Sequence, residues 1–92
     1  MKGTWTVKRL ERLYARYNCH FWKGRLPHIP LRIAQMDGLR GLYEENPQRI
    51  TINISEHKND REVRSTLLHE MAHAAARRKH RSFASRDLKT SA

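Results

Sequence analysis

Val63-Arg64-Ser65-Thr66-Leu67-Leu68-His69-Glu70-Met71-Ala72-His73-Ala74-Ala75-Ala76 is the stretch on which the reading of this 92-residue chain turns. It holds neither Gly nor Pro, and Val63, Leu67, Met71 and Ala74 recur at helical spacing as one apolar stripe, widened by Leu68, Ala72 and Ala75. Asn59 and Glu62 stand in the relation of a capping box, so residues 59–79 read as one helix. His69 and His73, four apart, fall on one face of it, away from the main stripe. Two imidazoles one turn apart can hold one Zn²⁺, and Glu70 beside them can take a proton from water. A helix apolar over most of its circumference is covered on more than one side. The His pair is therefore expected to line a cleft, and the bland alternative is two surface histidines.

Outward from this helix the pattern changes period. Ile50, Ile52 and Ile54 alternate with polar residues, the mark of a strand over 50–55. Residues 31–35 alternate as a short strand, Asp37-Gly38 signals a turn, and 39–44 can return as a second strand. Further upstream, Val7, Leu10, Leu13, Tyr14, Tyr17 and Phe21 make an amphipathic helix of residues 6–23, ended by Gly24 and followed by an extended segment at Pro27 and Pro30. The expected fold is α+β: an N-terminal helix, a three-stranded antiparallel sheet in meander order, the motif helix, and a short C-terminal helix or tail over 81–92. That is a minimal zincin-like arrangement in a single domain spanning 1–92.

Ninety-two residues lie near the lower end of what one core stabilises, and a bound metal would add to that stability. Cys19 is the only cysteine, which excludes an internal disulfide or a Cys₂ or Cys₄ zinc ribbon; a small, half-buried place on the first helix is expected for it. No apolar run reaches a membrane span and the N-terminus carries no signal-peptide pattern, so a soluble, cytoplasmic protein with no membrane partner is expected. Nineteen Lys and Arg against nine Asp and Glu give a formal charge of +10. Such a charge gathers polyanions, and two clusters could contact phosphates without reading sequence: Lys8, Arg9, Arg12 and Arg16, and Arg77, Arg78, Lys79 and Arg81. A solvated face that keeps the domain soluble is the plainer reading of both.

Several blocks in order resemble the SprT-like zinc metallopeptidases, which include the Spartan-type DNA–protein crosslink proteases. They are Leu13-Tyr14-x-x-Tyr17-Asn18-x-x-Phe21-Trp22-x-Gly24-x-Leu26-Pro27, Gly41-x-Tyr43, Ile50-x-Ile52-Asn53, and Thr66 through Ala74 around the motif. The resemblance implies Zn²⁺ held by His69 and His73, Glu70 as general base, and a polypeptide substrate, DNA-associated proteins among them. It also implies a third His from beyond the motif helix, for which His80, in His80-Arg81-Ser82-Phe83, is the candidate. This segment is one residue shorter than the family's and lacks its Gly, and the cysteine-rich ribbon of some members is missing.

Geometry bears on the third ligand independently. On an unbroken helix His80 would stand about 10 Å beyond His73, too far for one ion with Zn–N bonds of about 2.0–2.1 Å. The chain is thus expected to turn back after about Ala75, although residues 74–79 contain no Gly or Pro. No Glu follows Glu70, Ala76 and Lys79 break the metzincin spacing, and Asp87 is the sole downstream carboxylate. His57 could approach if its loop folded back, and a site left incomplete or finished by a second copy stays open. His20 and His28 are expected to be surface or packing residues and not ligands. Trp5 and Trp22 could stack on bases, though packing is the commoner fate, and Tyr43 could stabilise an oxyanion or simply pack. The rival function is a basic nucleic-acid-binding module whose metal site is structural or vestigial.

Overall fold

The computed structural model describes the backbone of residues 4–91 and the side chains of residues 4–76. Helix α1 spans Val7–Trp22, strands β1, β2 and β3 span Leu31–Ile33, Gly41–Glu45 and Gln48–Ile52, a 3₁₀ turn covers Ile54–Glu56, and helix α2 covers Asp60–Ser91. Thr6 caps α1, its Oγ1 accepting from the Arg9 N–H at 3.1 Å. Lys23 takes the left-handed conformation at the other end, one residue before the expected Gly24, which also has positive φ. The exit segment is tied back to the helix. Tyr14 donates to the Pro27 carbonyl at 2.6 Å, and the Asn18 amide both donates to the Leu26 carbonyl and accepts from its N–H.

The sheet has three strands as expected, but it is mixed and its order is β1-β3-β2. β1 runs parallel to β3 in the register Leu31↔Ile50 and Ile33↔Ile52, while β2 is antiparallel to β3 with Gly41↔Ile52 and Glu45↔Gln48. The antiparallel meander is thereby corrected. Asp37-Gly38 does not close a hairpin; residues 34–40 carry the chain from one edge across the end of β3 to the other. Asn53, just past β3, fastens this crossing. Its amide donates to the carbonyls of Met36 (2.7 Å) and Leu39 (3.0 Å), and its N–H to that of Arg40 (2.9 Å). A buried polar side chain with such partners fixes a connection that hydrophobic period alone does not specify. The true hairpin is β2–β3, closed through the cis Asn46–Pro47 bond and flanked by the cross-strand pair Glu44–Arg49 at 2.9 Å.

The helices pack on the sheet face that carries Leu31, Ile50 and Ile52. Val63, Leu67, Met71 and Ala74, the expected stripe of α2, are all fully buried there with Leu10 and Ile29. Large apolar side chains buried to that degree contribute about 1.5–3 kcal/mol each. The N-termini of the two helices are clamped together. Arg9 lies over the Trp5 ring at 3.8 Å and bonds Asp60 at 3.2 Å, while the Trp5 indole N–H donates to the other Asp60 oxygen at 3.0 Å. Trp5 is thus a core residue, and Trp22 packs against the core, so packing and not display accounts for both.

Further expectations change. α2 continues to Ser91, so neither the turn after Ala75 nor a separate C-terminal helix is present; the alanine- and arginine-rich stretch has no Gly or Pro to stop a helix. Ala72 and Ala76 are exposed, so one side of α2 is left uncovered. Cys19 is exposed, not half-buried. No helix among the described residues is long and apolar enough to cross a membrane.

Candidate metal centre

His69 and His73 project from the uncovered side of α2 with their Nε2 atoms 3.0 Å apart and their rings nearly perpendicular. Both are exposed, as the bland reading of the motif anticipated, yet they are turned toward each other. Two Zn–N bonds of about 2.0–2.1 Å at a tetrahedral angle place their nitrogens roughly 3.3 Å apart, so the observed pair is within a few tenths of an ångström of a zinc clamp. The same separation closes an N–H···N hydrogen bond between neutral rings. Helical spacing therefore presents two converging imidazole lone-pair sites, and they fit two positions of a zinc site.

Glu70 is placed quite differently. It is only 7 % exposed, tucked under the first residue of β2. A Cβ on Gly41 would stand 3.1 Å from Glu70 Cγ and Oε2 and 2.7 Å from Thr66 Cγ2, so only a glycine lets the edge strand cross α2 this closely. Burial raises the carboxyl above its ordinary range, against the opposing pull of His73 and His69. Together Gly41, Leu42, Tyr43, Glu45, Glu70 and His73 line an open cleft of ≈ 550 Å³ between β2 and the helix. So a cleft exists, with Glu70 in its wall and His73 at its rim, while His69 is not among the residues that line it. Tyr43 packs against the core from the cleft wall, its hydroxyl accepting from the Gln48 amide at 3.0 Å.

His57 is not available as a ligand. It is buried, with Nδ1 2.8 Å from the Asn53 carbonyl and Nε2 2.7 Å from Thr66 Oγ1. A carbonyl only accepts, so Nδ1 carries the proton, and in the neutral ring Thr66 donates to Nε2. His20 and His28 are exposed on and just after α1. Among the described residues no cluster of three or more His, Cys, Asp or Glu could hold a metal. The side chain of His80 lies outside the described residues, as do those of Arg77, Arg78, Lys79 and Arg81. Sequence reasoning missed Gly41 as a spacer, although a lone Gly at a strand start signals close backbone approach. It also missed the His57–Thr66 bond, for which no sequence signal exists.

Residues 10–86 match the SprT-like family model. The chain belongs to the SprT-like family. No curated protein and no solved structure matches it. The match covers most of α1, the whole sheet and α2 as far as residue 86, so this SprT-like domain has its His pair, buried glutamate and overlying strand all inside the region that defines the family.

Proposed function

We propose that this SprT-like domain is a zinc-dependent metallopeptidase acting on polypeptide, and that its basic surface brings it to nucleic acid, where bound proteins are its substrates. The observation that carries the reading is the convergence of His69 and His73 at 3.0 Å beside a carboxylate buried in the wall of a cleft. A purely structural zinc site gains nothing from Glu70. Bound zinc would supply a Lewis acid that makes water a usable nucleophile near neutral pH. His69 and His73 would hold it through Nε2. Glu70, which takes no hydrogen bond from a described residue, would accept a proton from water and return it to the departing amine.

His80 is the third ligand on this reading, through the family resemblance. An unbroken α2 would hold it about 10 Å beyond His73, so completing the site requires the helix to open past Ala76. Zinc per chain, measured on wild type and on His69→Ala, His73→Ala and His80→Ala, tests the ligand set. Cleavage of an unfolded polypeptide by wild type and by Glu70→Gln tests the chemistry. Stoichiometric zinc, lost in each His variant, with cleavage lost in Glu70→Gln, is the expected result. Zinc retained after His80→Ala removes that ligand, and zinc without cleavage leaves the binding-module reading.

A further inference from the structure

Arg9, Arg12 and Arg16 follow one another at helical spacing along one side of α1, and α2 brings Arg64 to face them. The four guanidinium side chains, with Trp5 and Leu13, line a pocket of ≈ 150 Å³ between the helices. Arg64 does not belong to either basic run in the sequence, and Lys8, which belongs to one, does not line the pocket. Arg9 is already fixed by the Trp5 ring, Asp60 and the Thr4 carbonyl. Arg12 and Arg16 form no ion pair among the described residues, although like charges four apart on a helix repel. Such a convergence is unfavourable in the free protein and is relieved by an anion in its midst.

We propose that this pocket is a phosphate site through which the domain holds a nucleic-acid backbone. The inference deepens the nucleic-acid part of the function proposed above, rests on that part, and is independent of the zinc chemistry. Guanidinium groups match phosphate oxygens with paired N–H donors. The stripe from Arg9 to Arg16 extends about 10 Å along α1, enough for more than one phosphate of a strand. Arg64 and His73, nine residues apart, point to opposite sides of α2 at about 100° per residue. A strand seated on the arginines therefore leaves the Glu70 cleft open to a protein substrate.

Binding of the full chain to a fluorescent single-stranded oligonucleotide, followed by anisotropy across a salt series, tests the site. Wild type is compared with Arg12→Gln/Arg16→Gln/Arg64→Gln and with a control of equal charge, Lys23→Gln/Arg25→Gln/Lys58→Gln, whose side chains are exposed outside the pocket. Each phosphate contact on a single strand contributes about 0.7 to the slope of log affinity against log salt. The pocket variant is expected to lose about 2 from that slope and roughly ten-fold or more in affinity, and the control much less. Equal losses in both variants would show diffuse attraction and overturn the site, leaving nucleic-acid affinity standing. No binding by wild type would overturn both. Competition by polyglutamate as strong as by unlabelled oligonucleotide would assign the pocket to acidic peptide and overturn the phosphate assignment. A thermal melt on each variant confirms that the fold is kept.

Discussion

Gly41→Ala is expected to destabilise the domain, against the usual sign for such a change. No positive φ requires glycine here, and replacing Gly by Ala at a compatible position ordinarily gains about 0.4–1 kcal/mol from the unfolded chain. The added methyl, however, meets Thr66 Cγ2 at 2.7 Å and Glu70 at 3.1 Å. Thr66 cannot rotate away cheaply, because its Oγ1 holds buried His57 at 2.7 Å, and losing a partner of that kind costs about 1–3 kcal/mol. β2 cannot lift freely either, since Gly41 lies in register with Ile52 of the central strand. Overpacking of this sort costs about 1–3 kcal/mol, so the net loss should be about 1–2 kcal/mol. Thr66→Ser removes Cγ2 and keeps the hydroxyl; alone it should cost about 0.5–1.5 kcal/mol, as one lost methyl does. In the double variant the losses should fall short of additivity by about 1 kcal/mol, whereas Thr66→Val, which retains the bulk, should give no relief. Urea midpoints for the four proteins of the Gly41/Thr66→Ser cycle measure this. A Gly41→Ala protein as stable as wild type, or strict additivity with Thr66→Ser, would refute the close-approach argument.

Other outcomes follow from the same contacts. In metal-free protein, burial raises the Glu70 pKa, so its contribution to stability is full below the ordinary carboxylate pKa and is lost as pH rises through the folded value. The melting-temperature advantage of Glu70→Gln over wild type should accordingly grow from about pH 4 to pH 7, and a constant difference would contradict it. Glu62 has the opposite sign. The Lys58 N–H bonded to its carboxylate lowers its pKa, so its stabilisation is present above the ordinary range and disappears as pH falls through the depressed value. Glu62→Ala should be less stable than wild type at pH 7 and should converge with it in acid, as paired melts would reveal. Asn53→Ala should lose about 2–4 kcal/mol in urea denaturation, since it removes two donors to the 34–40 crossing and the acceptor of Ser55.

The elements themselves were legible because each buries one face against a common core. The period of Val63, Leu67, Met71 and Ala74 marks the inner side of α2, and that of Ile50 and Ile52 marks the inner side of β3. Strand order was not legible, because alternation says which side a residue faces and nothing about which neighbour its backbone meets. What decides the order is Asn53, a single polar residue whose partners, Met36 and Leu39, lie 17 and 14 positions away. The candidate site divides in the same way. Local spacing brings His69 and His73 together, whereas the burial of Glu70 depends on Gly41 from a strand that the sequence pattern could not place over the helix.

These placements give α2 three flanks with distinct physical work. Val63, Leu67, Met71 and Ala74 hold it to the core and leave it little freedom to slide or rotate. On one side of that seam, β2 presses on Thr66 and Glu70, removing the carboxylate from water while the imidazoles one residue and three residues away stay solvated. On the other side, Arg64 meets the arginine stripe of α1. A rigid helix makes the angular separation of these flanks a property of residue spacing alone, so an anion on the arginines and a peptide in the cleft need not compete for the same space. The two sites are nevertheless joined mechanically, because the clamp of Trp5, Arg9 and Asp60 that shapes the arginine pocket also anchors the first turn of the helix carrying the His pair.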